Sequence, residues 1–251
     1  GFFHTCGVLT SGSAECWGSD HHGQSSPPSQ TFDSVSSGGS HTCGITSSGS
    51  VACWGDDSIQ SSPPSGMFDS VSAGFFHTCG VLTSGSVECW GDDSSGQSSP
   101  PSGVFESVSS GGSHTCGVLS SGSVECWGDD SSGQSNPPSG TFESVSAGSS
   151  HTCGVLTSGS VECWGYDYYG QSTPPSGMFD NVSSGESHTC GVLSSGSAKC
   201  WGSDASGQSD TPSGTFMSMS SGRSHTCGIL TSNSVKCWGS NVDGQANPPD
   251  L

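Results

Sequence analysis

Residues 114–128 read His-Thr-Cys-Gly-Val-Leu-Ser-Ser-Gly-Ser-Val-Glu-Cys-Trp-Gly, and the chain repeats this unit seven times with small changes. Apolar residues alternate along both arms, which is the period of a half-buried β-strand rather than of a helix. The Ser-Ser-Gly between the arms predicts a hairpin turn, with Gly122 at the position that needs a positive φ. The seventh copy has Asn233 there, the residue next best suited to a left-handed conformation. The copies begin at His4, His41, His77, His114, His151, His188 and His225.

A three-residue loop over 120–122 would place Cys116 opposite Cys126 and Val118 opposite Val124. Directly facing residues of antiparallel strands lie about 4.5–5.5 Å apart between Cα atoms, which suits a disulfide. The alternative is zinc, because each copy has a His two residues before its first Cys, but nine residues between the cysteines fits a zinc site poorly. The predicted disulfides are Cys6–Cys16, Cys43–Cys53, Cys79–Cys89, Cys116–Cys126, Cys153–Cys163, Cys190–Cys200 and Cys227–Cys237.

The composition indicates an extracellular location, secreted or at the cell surface. Fourteen cysteines in seven equally spaced pairs point to an oxidising compartment. Three basic residues against twenty-two acidic ones give a net charge of −19, which excludes nucleic acid and anionic lipid as natural partners. No apolar run approaches the roughly 20 residues of a membrane helix. Because the chain starts at Gly1 without a Met, we expect a mature or incomplete polypeptide.

The repeat is 37 residues long, and one copy, which contains Asp56 to Gln60, is a residue short. A polar loop and a Pro-Pro stretch follow each hairpin, and then comes a third short strand such as Phe105 to Ser109. Three strands per repeat and no helical segment predict an all-β fold, a seven-bladed β-propeller in one domain over 1–251. A right-handed β-solenoid is the alternative. The repeats start at Gly1, Gly38, Gly74, Gly111, Gly148, Gly185 and Gly222. The expected core is Phe105, Val108, Val118, Leu119, Val124 and Trp127, with their equivalents.

A longer motif, Gly-x-x-His-Thr-Cys-Gly-Val-Leu followed by Val-x-Cys-Trp-Gly-x-x-x-x-Gly-Gln, recurs over nearly the whole chain. It resembles the regulator of chromosome condensation repeat, in a short version with a cysteine pair. The resemblance implies a seven-bladed propeller, similar in blade size to the propeller-type β-lactamase inhibitor protein. It implies no single function, because the family includes exchange factors, inhibitors and modules of surface proteins. The acidic charge argues against a chromatin-binding role.

The periodic polar residues offer no unique reactive site. Every copy has the same His, so we expect buried histidines bonded to a neighbouring strand or loop rather than a metal ring. The Trp of each copy is predicted to be a core residue. Asp-rich loops such as Asp92-Asp93-Ser94-Ser95-Gly96 lack the ligand order of an EF-hand, so solvated turns are favoured over calcium. We predict no catalytic residue, no metal and no cofactor.

Departures from the repeat are the places where a binding site can lie. They occur directly after the repeat-opening Gly and in the loop after Cys-Trp-Gly. Aromatic residues on loops of a rigid scaffold are typical of binding surfaces, although they also pack against neighbouring loops. The candidate binding residues are Phe2, Phe3, Phe75, Phe76, Tyr166, Tyr168, Tyr169 and Arg223.

These observations favour a non-enzymatic extracellular structural or interaction module, with an extracellular filament subunit as its specific form. A protein partner or self-association is expected. The alternative is a lectin-like, glycan-binding propeller or a protein inhibitor that uses the aromatic loops. Two modifications are also predicted: an N-glycan at Asn181 of Asn-Val-Ser, and O-linked sugars on the Ser-Ser-Pro-Pro-Ser segments.

Counting strands predicts a gap in the ring. There are seven hairpins but only six strands of the Phe-x-x-Val-Ser type, the last reading Phe-Met-Ser-Met-Ser over 216–220. The first hairpin therefore has no strand of its own before it, and an unpaired edge is a template for pairing. About seven residues after Leu251, equivalent to Thr31 through Ser37, would supply it. Otherwise a strand from a neighbouring subunit or another domain would fill the gap and, head to tail, build a fibre. The chain is thus expected to be part of a longer polypeptide or an assembly.

Overall fold

The computed structural model describes residues 1–56 and 62–249, and in this part of the chain it contains twenty β-strands and no helix. The strands form six three-stranded antiparallel sheets and one two-stranded sheet, which are the blades of the predicted seven-bladed propeller. The inner strands are β3 (Phe32–Ser37), β6 (Phe68–Ala73), β9 (Phe105–Ser110), β12 (Phe142–Ala147), β15 (Phe179–Ser184) and β18 (Phe216–Ser221). The middle strands are β1 (His4–Val8), β4 (His41–Thr46), β7 (His77–Leu82), β10 (His114–Leu119), β13 (His151–Leu156), β16 (His188–Leu193) and β19 (His225–Leu230). The outer strands are β2 (Ala14–Gly18), β5 (Val51–Gly55), β8 (Val87–Gly91), β11 (Val124–Gly128), β14 (Val161–Gly165), β17 (Ala198–Gly202) and β20 (Val235–Gly239).

Each middle and outer strand form the predicted hairpin. Cys116 faces Cys126, and the Leu119 amide donates to the Ser123 carbonyl to close the three-residue loop. Gly122 has a φ of 81°, and Asn233 replaces it in the seventh copy with a φ of 66°. All seven predicted cysteine pairs are bridged. Their Cα atoms are 4.0–4.1 Å apart, closer than expected, because the short bridge draws directly facing residues together.

The Phe that opens each inner strand fills the space between blades. Phe105 packs with Trp127 of its own blade and with Cys79 and Val81 of the preceding blade. Its ring lies against Gly117 of the middle strand, where a Cβ atom would stand 2.6 Å from the Phe105 Cδ1. Only Gly leaves room for the ring at this place. Of the predicted core, Phe105, Val118 and Trp127 are buried, whereas Val108, Leu119 and Val124 are partly buried around them.

The propeller closes by contacts between the first and last blades. The Thr5 hydroxyl bonds to His225 at 2.9 Å, and the Trp17 indole donates to the Gln245 carbonyl at 2.9 Å. The same two contacts join other neighbouring blades, so the closing interface has the ordinary hydrogen bonds. The described residues contain no helix, and therefore no helix that is long and apolar enough to cross a membrane.

The first blade lacks an inner strand within the described residues, as strand counting predicts. Its sheet contains only β1 and β2, with one isolated bridge between Ser13 and Thr31. In the other six blades the middle strand is paired on both edges, whereas β1 is paired only with β2. One edge of β1 therefore has no partner strand in the described residues, and it is called here the open edge.

Candidate functional site

The recurring histidines form a ring of hydrogen bonds between blades. Each His Nε2 lies 2.7–2.9 Å from the Thr Oγ1 of the next blade, and the seventh bond, from His225 to Thr5, completes the circle. The Thr115 hydroxyl donates its proton to the Gln97 carbonyl, so its oxygen must accept from His77. The His therefore carries its proton on Nε2. The expectation of buried histidines bonded to a neighbouring strand is confirmed.

Burial keeps these histidines neutral. It lowers the pKa of His41, His77, His114 and His188 to about 4, and that of His151 and His225 to about 3. The pKa of His4 is also lowered by burial. The Nδ1 atoms are buried without a hydrogen-bond partner, so a proton there would create a buried, unpaired charge. Every His has the same surroundings, and the ring is a structural element of the propeller.

The Asp-rich loops are organised by their own side chains. Asp92 accepts hydrogen bonds from Ser94 and Gln97, and the Ser94 hydroxyl holds the pKa of that carboxyl below its usual value. Asp93 accepts from the Ser98 amide and the Ser99 hydroxyl. Within residues 1–56 and 62–249, no group of three or more His, Cys, Asp or Glu side chains is placed to hold a metal ion.

Both sets of variable positions lie side by side on one face of the propeller, called here the loop face. In each repeat, the second residue after the opening Gly accepts a backbone hydrogen bond from the residue that follows Cys-Trp-Gly. The bonds Ser19 to Phe3, Asp92 to Phe76 and Tyr166 to Ser150 are all 2.9 Å long. The first residue after the opening Gly lies nearer the axis, and Phe2, Phe75 and Glu186 line the mouth of the axial channel.

Five of the eight candidate binding residues meet on this face, in what we call the aromatic cluster: Phe2, Phe3, Phe75, Phe76 and Arg223. The Phe2 ring is 4.3 Å from Phe75, which is 4.2 Å from Phe76, both edge to face. The Arg223 guanidinium lies 5.2 Å from the centre of the Phe3 ring and bonds to Glu186 at 3.1 Å. Phe76 is 50% exposed, and Val242 beside the cluster is 89% exposed.

The three tyrosines form a second group in the fifth repeat. Tyr166 stacks on Tyr168 at 6.4 Å between ring centres, and Tyr169 packs edge to face on Tyr168 at 4.9 Å. All three side chains are exposed, Tyr168 by 78%. The tyrosines contact one another rather than the aromatic cluster, so the structure separates the candidate binding residues into two groups.

The open edge of β1 faces an apolar groove. Its walls include Trp17 of the first blade and Met217 and Ile229 of the last, and its volume is about 540 Å³. Ile229 is 41% exposed, whereas the equivalent Val118 is 1% exposed. Met217 is also exposed. We call this space, between β1 and the last blade, the first-blade groove.

The model of the regulator of chromosome condensation (RCC1) repeat matches six segments of the chain: 32–58, 68–97, 105–134, 142–171, 179–208 and 218–245. The chain belongs to the RCC1 repeat family. Most of its length is matched, and five of the six segments begin at the Phe of an inner strand. No curated protein sequence matches this RCC1-repeat chain.

Solved structures include RCC1-like propellers of similar shape. The CRINKLY WD40 ectodomain of the Arabidopsis thaliana receptor kinase ACR4 is 29% identical over 96% of this chain and 92% of that one, with a TM-score of 0.80. The ectodomain of the Physcomitrella patens receptor kinase CR4 is 27% identical over 94% of this chain and 70% of that one, with a TM-score of 0.83. Prp20p of Saccharomyces cerevisiae, at 14% identity over 89% of this chain and 79% of that one and a TM-score of 0.76, shares the fold.

Sequence reasoning missed two structural residues of the RCC1 repeat. The Thr after each His is buried, as are the six described Gln residues that follow a loop glycine, and both residue types connect neighbouring blades. The Gln134 side chain accepts the Ser132 amide and donates to Asp129, while its carbonyl accepts from Thr152 and Trp164. Both residue types recur in all seven copies, and that recurrence was the available signal.

The predicted glycosylation residue Asn181 lies in β15. Its Nδ2 atom donates to the Met217 carbonyl at 3.2 Å, and its Oδ1 atom is buried. An N-glycan there would have to break this contact, and the modification stays a prediction. Ile59, a variable residue of the second repeat, lies outside the described residues.

Proposed function

We propose that this chain is a non-enzymatic, extracellular protein-interaction module, and that its partner surface is the loop face around the aromatic cluster. One observation carries the proposal: aromatic rings from two different repeats, Phe2 and Phe75, meet beside an exposed guanidinium on a rigid ring. Aromatic and Arg side chains dominate the binding energy of protein interfaces, and a rigid scaffold lowers the entropy that binding costs.

An extracellular location is supported by the seven disulfides and by the two receptor-kinase ectodomains that share the fold at 27–29% identity. Disulfides persist in oxidising surroundings and stabilise chains whose apolar core is small. The net charge of −19 disfavours nucleic acid as a partner. It favours protein surfaces that carry basic groups at the rim of the contact.

The non-enzymatic part of the proposal rests on how the polar groups are used. The buried Thr and His of each blade are engaged in the same inter-blade bonds, and the loop carboxylates accept from their own loop. A reactive site needs one nucleophile or acid with its own base and orienting partner. Because the seven His–Thr pairs have equivalent surroundings, none of them stands out as such a reactive set.

A more specific version of the proposed function is that the chain is a subunit of an extracellular filament. In such a filament the open edge of β1 would receive a strand from a neighbouring polypeptide, and each addition would leave a new open edge. A contact of this head-to-tail kind extends without closing. Electron microscopy of the secreted, full-length assembly tests it: rods one propeller wide support the filament, and dispersed single rings contradict it.

A second candidate is a lectin-like or inhibitor role through the tyrosine group. Exposed, mutually stacked tyrosines offer flat apolar faces with hydroxyl groups at their edges, which suit a sugar ring or a protein loop. The three side chains share one loop, so they would bind as a unit.

Paired glycan and protein arrays separate the two candidates. The chain is compared with Phe76→Ala/Arg223→Ala and with Tyr168→Ala/Tyr169→Ala, each checked for native disulfides by mass and for folding by near-UV circular dichroism. Protein binding that only the first pair of changes removes supports the proposal. Glycan or protein binding that only the tyrosine changes remove supports the second candidate, and no reproducible binding to either array contradicts both.

A further inference from the structure

The outer strands carry one position at which the charge differs between repeats. It is the residue before the second Cys of each pair: Glu15, Ala52, Glu88, Glu125, Glu162, Lys199 and Lys236, in order from the first repeat to the seventh. Its place in the sheet is the same in each blade, since it always pairs with the glycine of the middle strand. The blades therefore differ here in side-chain charge but not in strand register.

The two lysines show that an ammonium group fits beside the outer strand. The Lys199 Nζ atom donates to the Ser176 carbonyl at 3.2 Å, and the Lys236 Nζ atom donates to the Ser213 carbonyl at 3.0 Å. Both acceptors lie in the proline-containing segment that precedes the blade. In the sixth and seventh blades, the chain thus supplies its own cation to this part of the surface, called here the outer wall.

In the third, fourth and fifth blades the same acceptor faces a carboxylate position. The sequence separation of 23 between Lys199 and Ser176 also relates Glu88 to Ser65, Glu125 to Ser102 and Glu162 to Ser139. The segment is placed alike in all five blades, because a Cβ atom on the glycine after this serine would always stand 2.7–2.8 Å from the Cδ2 atom of the middle-strand leucine. Each of the three sites therefore combines a carboxylate with a backbone carbonyl, and it lacks a donor.

The three carboxylates are unpaired within residues 1–56 and 62–249. The one salt bridge of that part of the chain joins Arg223 to Glu186, and none of its hydrogen bonds involves the side chain of Glu88, Glu125 or Glu162. A charged acceptor next to a second acceptor is a site for a cationic donor.

The groove beside Glu88 suits the aliphatic part of a lysine side chain. Pro64, Val87, Trp90 and Pro100 line it, and its volume is about 360 Å³. Lysine buries its methylene groups along apolar surface while its charged end reaches polar acceptors. The ammonium group is compact and donates up to three hydrogen bonds, so it can bond to the carboxylate and the carbonyl together.

We propose that the outer wall of the third to fifth blades binds lysine side chains of a protein partner. The three sites are formed by Glu88 with Ser65, by Glu125 with Ser102 and by Glu162 with Ser139. This surface is separate from the loop face, and it adds a second interface to the proposed function. The net charge of −19 adds a long-range attraction for a lysine-rich segment.

Other occupants fit the sites less well. A second copy of this chain has only three basic side chains, and Lys199, Lys236 and Arg223 are all bonded within their own molecule. Calcium takes six to eight oxygen ligands, more than one carboxylate and one carbonyl provide. No group of three or more metal-binding side chains occurs in the part of the chain that the structure describes.

A single blocked lysine tests the sites one at a time. N-acetyl-lysine-methylamide is added to the ¹⁵N-labelled chain, and NMR follows the amides of Gly66, Gly103 and Gly140, which adjoin the three carbonyls. We expect saturable shifts at all three, and none with the norleucine analogue, which has no ammonium group. The absence of saturable shifts, or equal shifts with norleucine, overturns the proposal.

The variant Glu125→Lys should close one site and leave the other two. Its ammonium group can bond to the Ser102 carbonyl as Lys199 bonds to Ser176, so the fold tolerates the change. The lysine probe should then no longer shift Gly103. Glu106→Lys, at an exposed residue of β9, makes the same change of charge and should leave the shift intact. A Gly103 shift that survives Glu125→Lys, or that Glu106→Lys also removes, contradicts the site.

Labelled hexalysine tests the three sites together, by fluorescence anisotropy at low salt. Glu88→Lys/Glu125→Lys/Glu162→Lys should weaken binding at least about tenfold more than Asp69→Lys/Glu106→Lys/Glu143→Lys, which changes the net charge equally at exposed residues of the same blades. Equal weakening by both triple variants would mean general attraction to an acidic protein and overturns the outer wall. Phe76→Ala/Arg223→Ala should leave hexalysine binding to the wall intact, so failure here and failure of the loop-face proposal are distinguishable.

Discussion

In six blades the middle strand carries a glycine because the Phe ring of the inner strand occupies the space of a side chain. Glycine normally weakens a strand, since it loses more backbone entropy on folding than other residues and offers no side chain to pack. Here it is required because the Phe ring occupies the place of its Cβ atom. Gly7, the equivalent residue of the first blade, differs, because nothing in the described residues lies within 4 Å of a Cβ atom placed on it.

The contrast predicts opposite results for one substitution at two equivalent residues. Gly117→Ala should lower the free energy of unfolding by about 1–3 kcal/mol, the usual effect of overpacking a core. Gly7→Ala should leave it unchanged or raise it by up to about 1 kcal/mol, because Ala restricts the unfolded chain. Urea midpoints of the two variants give the measurement. Equal destabilisation at both positions would contradict this explanation of the glycines.

A second residue-scale prediction concerns the buried threonine. Thr115→Val keeps the shape of the side chain but removes the acceptor of His77 Nε2–H and the donor to Gln97. A buried donor left without a partner costs about 1–3 kcal/mol of stability. Thr157→Val, at an exposed turn residue, is the matched control and should cost less than about 0.5 kcal/mol. Denaturant unfolding compares the two.

At the scale of elements, the seven hairpins have the same turn and the same disulfide but unequal support. The hairpin β10–β11 has an inner strand beside it, whereas β1–β2 has none in the described chain. We expect the amides of β1 to exchange with solvent at least about tenfold faster than those of β10, because open edges and few apolar contacts favour local opening. Hydrogen exchange followed by mass spectrometry, with the disulfides intact, checks this. Equal protection would show that the disulfide alone fixes the hairpin.

The elements themselves were predictable because their causes are local. The alternation of apolar residues, Gly122 and the spacing of Cys116 and Cys126 are sufficient to give the strands, the turn and the register. The absent inner strand followed from counting. The grouping of Phe2, Phe75 and Arg223 was not predictable, because it depends on how the first, third and seventh repeats are placed around the ring. The role of the buried Thr was likewise hidden, since its partner lies in the next blade.

At the scale of the whole molecule, the histidine ring couples stability to pH. Burial depresses the pKa values of these histidines to about 3–4, whereas an unfolded histidine has a pKa of about 6.5. The unfolded chain therefore binds more protons between these values. Stability is complete above about pH 6.5 and falls as the pH drops towards 4, by up to about 1.4 kcal/mol per histidine and pH unit.

Urea midpoints measured between pH 7 and pH 5 check this prediction. Moderate salt is included because protonation of carboxylates relieves the repulsion within a chain of net charge −19, which acts in the opposite direction. We expect the urea midpoint to fall by pH 5. In the folded protein, NMR should show no titration of the imidazole protons of the seven buried histidines over that range. A midpoint that stays level would contradict the buried, neutral ring.

The histidine bonds all run in the same rotational sense, from each blade to the threonine of the next, including the step from the last blade to the first. A blade therefore presents the same His donor to one neighbour and the same Thr acceptor to the other. These bonds do not distinguish one repeat from another, so the six repeats with a three-stranded blade could exchange places without changing a histidine bond. What distinguishes one repeat from another is the sequence of its exposed loops.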